Sequence, residues 1–385
     1  MKPNIETGFS LIELMIAMVL GVLLTLGVVE LYLESSETYR LTEGVANIQE
    51  NSRFVTDRIG RDLRQAGPGG CIFRESLNPD NYFAEESSRG EDSSITDLRD
   101  VPAGWSLPEE AGVIGWEYRD TAPGDSMALS AELSTGGEQS EQDWENNKDG
   151  SDNVSLPTGI SSDNFVNGSD VLIVQGSMGQ EIDIAAGGGN NIPLNAASGI
   201  PQGTTIELIG PDCSNGFRFI KGNNENASAI SVAGAGLGNQ GGANINNNSV
   251  NNQSSSVHVF RSTLYYVGEN PNGEPSLYRQ TLNNPGNGIP SPQELVAGVE
   301  NMQVLYGIGN EGGATEYITA NDVAPDEWSD IVSVRLGFVM ASAPRTRKTK
   351  ETRTFNLLGM KTQSPEDKRV RVIATKTVAF RNRLE

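Results

Sequence analysis

The amino-acid sequence predicts an α+β protein, in which one long N-terminal helix carries a head built on antiparallel β-sheet. Three observations predict this class. An almost unbroken apolar run covers residues 9–33, and an amphipathic helical pattern continues it through residue 66. Strand patterns separated by long loops then fill residues 67–385, which are numerous enough to bury a sizeable core.

The apolar run is long enough to cross a membrane. As a helix with a rise of about 1.5 Å per residue it would be about 37 Å long, and a hydrocarbon core is about 30 Å thick. A secretory signal peptide has a shorter apolar region with its small-residue cleavage site behind it, whereas here the small residue, Gly8, comes first. An ordinary signal-anchor helix is the alternative, but it leaves the carboxylate of Glu13, inside the run, without a role.

The amphipathic continuation, residues 34–66, has one apolar face. Its members follow steps of three, four or seven residues, which is typical of a helix face: Leu41, Val45, Ile48, Val55, Ile59 and Leu63. The opposite face is charged, and the glycine-rich sequence Gly67-Pro68-Gly69-Gly70 ends the helix. We therefore expect the far half of the helix to pack on the head.

Two stretches of the head are predicted to be insertions. Residues 72–169 are acidic and rich in loops, and residues 222–256 are rich in Asn, Gly and Ser, which predicts a long surface loop. Residues 143–152 space their oxygen ligands as a calcium site does. They lack the Gly and the closing Glu of an EF-hand, so a solvated acidic turn is the favoured interpretation.

Strand patterns begin at residue 170. They cover residues 170–175, 204–209, 217–221, 257–267, 302–308, 331–340 and 370–380. In residues 331–340, apolar side chains alternate with Ser333, Arg335 and Gly337, which predicts a half-buried strand.

Charge argues against broad nucleic-acid binding, because the net charge is −22 and phosphate backbones repel an acidic chain. The distribution is uneven, since residues 341–385 contain 12 basic and 4 acidic residues. Such a region could be a basic face for a partner or for lipid head groups. A solvated strand-and-loop region is the simpler interpretation.

No pattern of a catalytic or cofactor site is present. The one histidine, His258, lies in a strand-like run, and a single histidine excludes zinc motifs with paired histidines. Cys-x-x-Cys, Gly-x-Ser-x-Gly and Walker-type sequences are absent, and no pair of carboxylates stands out as hydrolytic. We predict a protein that is not an enzyme and holds no metal or other cofactor.

The two cysteines, Cys71 and Cys213, are expected to form a disulfide. A chain with one membrane anchor and a polar bulk is predicted to be exported, and disulfides persist outside the cytosol. Two buried free thiols are the alternative.

The sequence Gly8-Phe9-Ser10-Leu11-Ile12-Glu13 resembles the processing site of a type IV prepilin. In that family a dedicated peptidase cuts after the glycine, and the new N-terminal phenylalanine is N-methylated. The resemblance implies a leader of residues 1–8, cleavage between Gly8 and Phe9, and methylation of Phe9. It also implies that Glu13 neutralises the N-terminal amine of a neighbouring subunit, which lowers the cost of placing both charges in lipid.

Later motifs resemble the PilW family of minor pilins, and they decide between minor pilins and the pseudopilins of type II secretion, which share the prepilin motif. They are Tyr39-Arg40, residues 49–54, residues 61–67 leading to Gly70-Cys71, residues 210–214, Tyr265-Tyr266-Val267, residues 275–279, residues 294–300, Trp328, residues 332–335 and residues 381–384. Residues 72–169 and 222–256 match nothing in the family.

The resemblance implies a minor pilin of the complex that initiates or caps a type IV pilus. Its expected partners are other minor pilins, the major pilin and the prepilin peptidase. We expect it to lie in the inner membrane as a single-pass protein before assembly, with its head on the periplasmic side, and afterwards in the pilus. A type II secretion pseudopilin and a tip adhesin that binds through the insertions remain alternatives.

Overall fold

The structure is a computed structural model. It describes residues 10–67, 112–130, 143–146, 156, 165–182, 184–185, 191–209, 216–231, 255–282, 290–310 and 313–380. The predicted processing residues Gly8 and Phe9 and the predicted disulfide residues Cys71 and Cys213 lie outside these ranges.

The described residues form one α-helix, a series of strands and a short 3-10 helix at Glu327–Asp330. The first elements are α1 (Leu11–Arg64), β1 (Val113–Tyr118), β2 (Ser126–Ala128), β3 (Trp144–Glu145), β4 (Val171–Ile182), β5 (Asn191–Pro193), β6 (Thr205–Ile209), β7 (Gly216–Ile220) and β8 (Ala229–Ser231). The remaining strands are β9 (Ser256–Glu269), β10 (Pro275–Leu282), β11 (Gln293–Ala297), β12 (Val299–Asn310), β13 (Gly313–Ile318), β14 (Ile331–Ala341), β15 (Thr354–Leu357), β16 (Met360–Gln363) and β17 (Arg371–Ala379).

Helix α1 is a single element of 54 residues, about 81 Å long at 1.5 Å per residue. Its large apolar side chains from Leu11 to Leu33 are all exposed. Within the helix, an 18-residue window reaches a mean hydropathy of 2.5, so by length and composition this helix could cross a membrane. The long helix predicted from the sequence is therefore confirmed.

The apolar face predicted for the far half of α1 is confirmed as the buried face. Ile48, Val55, Ile59 and Leu63 are at most 2% exposed. The earlier members of the face are half-buried against the same core. Steps of three and four residues bring these side chains onto one stripe, and burying that stripe stabilises the helix on the head.

Two sheets form most of the head. One has eight strands, in the order β11-β10-β9-β4-β1-β3, with β6 pairing to β9 and β7 pairing to β6. The other has the order β13-β12-β14-β17. Smaller sheets join β15-β16-β2 and β5-β8, and β16 with β2 is a parallel pair, whereas the two large sheets are antiparallel throughout. The expected antiparallel head is thus confirmed.

Residues 331–340 form the predicted strand, β14, but the prediction that it is half-buried is wrong, because β14 is covered on both faces. Leu336 and Phe338 belong to the core beneath α1. On the other face, Val339 packs with Leu357 of β15. A Cβ on Gly337 would lie only 2.9 Å from Leu357, so the glycine lets the β15–β16 hairpin approach closely.

Both predicted insertions contribute strands. β1 lies inside residues 72–169, pairs with β4 from Val113 opposite Val174, and buries Val113, Ile114 and Trp116 completely. β8 lies inside residues 222–256, where Ile230 is fully buried in a satellite core and pairs with Ile192 of β5. Residues 229–231 are therefore a strand and not part of the predicted surface loop, whereas residues 222–228 form no strand and are half-buried or exposed. Residues 232–254 lie outside the described ranges.

Candidate functional site

The N-terminal end of α1 places Glu13 against its own helix terminus. Ser10 has the extended conformation of an N-cap residue, and Glu13 Oε2 accepts a hydrogen bond from the Ser10 backbone N–H at 3.0 Å. The carboxylate thereby accepts a hydrogen bond from one of the free N–H groups of the helix end. Its negative charge is also stabilised by the positive end of the helix dipole. The Ser-x-x-Glu spacing is the sequence signal of this capping arrangement.

Beyond Glu13, the first half of α1 exposes an apolar surface on all sides. From residue 11 to residue 33 the charged side chains are Glu13 and Glu30, both exposed, and each large apolar residue is about half exposed or more. Water disfavours a surface of this size and kind, and a soluble monomer rarely shows one. The arrangement can therefore be satisfied by lipid or by the apolar helices of other subunits.

A buried polar contact joins α1 to the eight-stranded sheet. The hydroxyl of Tyr265 on β9 donates a hydrogen bond to Asp62 Oδ2, and Arg58 Nη2 lies 3.6 Å from the same oxygen. Burial, followed by the Asp62 charge, raises the pKa of Tyr265 above its ordinary value. Because the buried carboxylate has both a donor and a cation nearby, the cost of burying it is offset.

Backbone contacts join the end of α1 to the same sheet. The Gly67 N–H donates to the carbonyl oxygen of Gln175 on β4 at 2.8 Å, and the Gln175 N–H donates to the Gly112 carbonyl oxygen at 2.8 Å. A Cβ on Gly112 would lie 2.5 Å from the Gly67 nitrogen, so only glycine permits this approach. Backbone hydrogen bonds thus join the C-terminal end of α1 to the eight-stranded sheet of the head.

Two interior carboxyls were missed by the sequence reasoning. Asp170 is 3% exposed and accepts backbone hydrogen bonds from Tyr118 at 3.1 Å and Val304 at 2.8 Å. Burial raises the pKa of Asp170, and burial also raises the pKa of Glu117 on β1 to about 7. Nothing in the spacing of acidic residues marks these two, because it is the pairing of β1 with β4 that buries them.

The hydroxyl of Tyr306 lies in the same interior, and among the described residues it has no hydrogen-bond partner. Burial, with smaller contributions from Asp170 and Glu117, raises the pKa of Tyr306. This arrangement can retain a proton on a carboxyl, but it contains no nucleophile activated by a base. Within the described ranges, no group of three or more His, Cys, Asp or Glu residues could hold a metal ion.

Of residues 143–152, which were interpreted as a solvated acidic turn in preference to a calcium site, the structure describes residues 143–146. Both acidic residues face one cation, since Arg119 lies 3.9 Å from Asp143 and 3.0 Å from Glu145. Trp144 and Asn146 are buried. The rest of residues 143–152 lies outside the described ranges.

His258 also has a local partner. It is half-buried on β9, with its Nε2 atom 3.2 Å from Ser256 Oγ on the same strand.

Comparison with known proteins adds two family matches and likenesses to solved structures. The family described as Type IV Pilus-assembly protein W matches residues 264–382, and the prokaryotic N-terminal methylation motif matches residues 4–29, which contain Gly8, Phe9 and Glu13. A type IV-like pilin from Thermus thermophilus is 19% identical over 33% of this chain and 70% of the pilin chain, with a TM-score of 0.23. No curated protein matches the chain.

Proposed function

We propose that this chain, a member of the PilW family of type IV pilins, is a minor pilin of the complex that initiates or caps a type IV pilus. The observation that carries the proposal is the division of α1. Its first half exposes apolar surface all round, and its second half is docked in a large β-rich head. The first half suits packing among the apolar helices of other subunits, and the head supplies the surface that meets specific partners.

The size and charge of the head favour a rare subunit over one that builds the shaft. Identical subunits in a filament stack at one narrow spacing, and a head of residues 67–385 would crowd its copies. The net charge of the whole chain, −22, adds repulsion between copies, screened over about 8 Å at physiological salt. At the tip, no copy of the head is stacked above it.

Quantitative mass spectrometry of sheared pili tests this position. We expect the chain to be present far below the major pilin. A near-equal ratio, or filaments assembled from this subunit alone, would contradict the minor-pilin proposal.

Processing between Gly8 and Phe9, with N-methylation of Phe9, is part of the proposal. Replacement of Gly8 by Leu should leave the full-length precursor in the inner membrane, because the resemblance implies a peptidase that cuts after glycine. N-terminal sequencing that finds mature Phe9 in this variant would refute the assignment.

We further propose that Glu13 acts in assembly and not in folding of the head. In the precursor Glu13 caps its own helix through the Ser10 N–H, and after cleavage the new amine belongs to Phe9, one residue before Ser10. Glu13→Ala should give a processed protein with an unchanged head that fails to support piliation. Glu30→Ala is the matched control, since Glu30 is the other exposed acid of the apolar half. Normal piliation by the Glu13 variant would exclude the pairing role.

A disulfide between Cys71 and Cys213 is also proposed. Support comes from their flanking elements: Gly67 bridges to Gly176 on β4, and both β4 and β6 pair with β9. In the chain-entropy account, a disulfide that closes the loop from residue 71 to residue 213 contributes about 4–5 kcal/mol to the free energy of unfolding, less any strain. Thiol labelling of denatured, unreduced protein should find no free cysteine, and two labelled thiols would disprove the bond.

Before assembly, the proposed location is the inner membrane, crossed once by α1, with the head on the periplasmic side. The proposed partners are the prepilin peptidase, the major pilin and the other minor pilins. Protease added to the periplasmic side should digest the head, and a head protected there would contradict this sidedness.

A further inference from the structure

The connection between β14 and β15 contains a basic loop, defined here as residues 343–353. Five of its side chains are cationic and one is acidic, although the whole chain has a net charge of −22. The cations are Arg345, Arg347, Lys348, Lys350 and Arg353. Such a reversal of charge in one short segment calls for a partner of opposite charge.

The basic loop is held against α1 at a defined level. A Cβ on Gly44 would lie 2.7 Å from Thr346 Cγ2, so the loop touches the helix where glycine leaves room for it. The Lys348 backbone N–H donates to Glu37 Oε1 at 3.3 Å. The Arg347 N–H also donates to the carbonyl oxygen of Lys368 at 2.8 Å, which ties the loop to the segment before β17.

This level coincides with the edge of the apolar half. Glu37 lies four residues beyond Leu33, or about 6 Å along the helix. The headgroup region adds about 5–7 Å on each side of a hydrocarbon core about 30 Å thick. When residues 11–33 span a bilayer, the basic loop therefore lies at the depth of the headgroups.

Three of the cations are available for a partner. Arg345, Lys348 and Lys350 are exposed, and no carboxylate in the described ranges forms an ion pair with them. The other two, Arg347 and Arg353, share Glu351 as their counterion.

The helix itself presents acids at the same depth. Glu30 and Glu34 are exposed, and Glu37 is half-buried beside the basic loop. Without the loop, this end of the molecule would repel an anionic surface. The surplus cations reverse that sign on the side of the helix where the head lies.

We propose that the basic loop binds the anionic phospholipid headgroups of the bilayer that α1 spans, with Arg345, Lys348 and Lys350 as the contacting cations. This inference rests on the membrane-anchored pilin of the proposed function. Each cation near an anionic surface contributes about 1 kcal/mol, or about fivefold in partitioning. The contact holds the head of the unassembled subunit against the membrane, and it is broken when the subunit is extracted into the filament.

Hydrogen exchange on the full-length chain in lipid nanodiscs tests the contact. Discs of phosphatidylethanolamine with phosphatidylglycerol are compared with discs of phosphatidylcholine alone. We expect amides of the basic loop to exchange about fivefold or more slowly in the anionic discs, with high salt abolishing the difference.

A triple variant with Arg345, Lys348 and Lys350 each changed to Gln should lose the difference between the discs. All three side chains are exposed, so the fold is retained, and unchanged exchange in β14 verifies this. Lys376→Gln is the matched control. This lysine lies on β17 two residues before Val378, whose Cγ2 would lie 3.5 Å from a Cβ on Gly60. Gly60 is about 34 Å further along α1 than Glu37.

Equal exchange in the two discs, protection that survives high salt, or protection that survives in the triple variant would each overturn the lipid contact. Protection that requires an acidic protein partner and not anionic lipid would overturn it as well. The proposed function fails separately: a chain absent from pili but protected by anionic lipid keeps this contact and loses the minor-pilin role.

Discussion

The two halves of α1 have the same secondary structure but depend on different surroundings. In residues 11–33 every large apolar side chain is exposed, whereas in residues 41–64 most large apolar side chains form one stripe packed against the sheets, and Phe54 is the exposed exception. A helix that is apolar all round requires lipid or other helices, and a helix with one apolar face requires one packed surface. We therefore expect the stability of the head to depend on the second half of α1 and not on the first half.

The largest expected effect comes from truncating the buried stripe. Ile59→Ala should lower the free energy of unfolding of the head by about 2–5 kcal/mol, because it opens a cavity in a fully buried site. Urea unfolding of the full-length protein in detergent, followed by tryptophan fluorescence, measures the loss. Leu23→Ala, at a side chain 59% exposed, is the matched change in the other half and should leave the midpoint unchanged. Equal losses of unfolding free energy in the two variants would show that the two halves of α1 do not differ in their support of the head.

The comparison extends to carboxylates, since Glu13 is exposed at one end of the molecule and Glu117 is buried in the head. The pKa of Glu117 is raised from 4.5 to about 7, so the folded state binds the proton more tightly than the unfolded state. The stability of the head should therefore be greatest below pH 4.5 with respect to this group, and should fall by about 3 kcal/mol as pH rises through 7.

Glu117→Gln should remove the part of this pH dependence that Glu117 contributes, leaving the part from Asp170, whose pKa is also raised by burial. Unfolding curves across this pH range measure both slopes. Glu13→Gln is the control and should reproduce the slope of the unchanged protein. If the Glu117→Gln variant shows that same slope, the buried carboxyl does not retain its proton.

A smaller effect is expected at the polar contact between α1 and β9. Tyr265→Phe removes the hydroxyl that donates to Asp62, so a buried carboxylate loses its hydrogen-bond donor. The expected cost is about 1–3 kcal/mol of head stability, measured by the same unfolding experiment. Tyr39→Phe, at a side chain 68% exposed on α1, should cost nothing measurable. A Tyr265 variant as stable as the unchanged protein would contradict the role of this contact.

The smallest expected effect on head stability comes from the same substitution, Gly→Ala, made once in each half of α1. Gly44→Ala gains about 1 kcal/mol of helix propensity, but it places a methyl group 2.7 Å from Thr346 Cγ2, so we expect a net loss of about 1 kcal/mol. Gly27→Ala meets no atom within 4 Å and should leave the head unchanged. Adding Thr346→Ser to the Gly44 variant removes the opposing methyl group and should restore stability. Failure of this rescue would show that the loop does not depend on the glycine.

Much of the fold could be predicted because apolar residues recur at the spacing of a helix or a strand. The stripe of α1 and the strands β4, β6, β7, β9, β12, β14 and β17 were all anticipated from apolar residues at helix or strand spacing. Strand β1 was missed because it lies in an acidic, loop-like context and is buried on both faces, so its residues do not alternate. Of the candidate site, Glu13 was found from its position in the apolar run, but its bond to Ser10 was not, although the Ser-x-x-Glu spacing signals it.

The local sequence pattern of α1 is enough to specify that it is one helix, which half is apolar all round, and which stripe of the other half is buried. Those properties follow from side chains three or four residues apart, which the helix geometry brings together without help from the rest of the chain. The tertiary structure alone decided that Tyr265 meets Asp62 from 203 positions away, and that the basic loop lies beside Glu37 from 311 positions away. Strand order and register create such contacts, and no local spacing encodes them, because each depends on packing summed over the whole head.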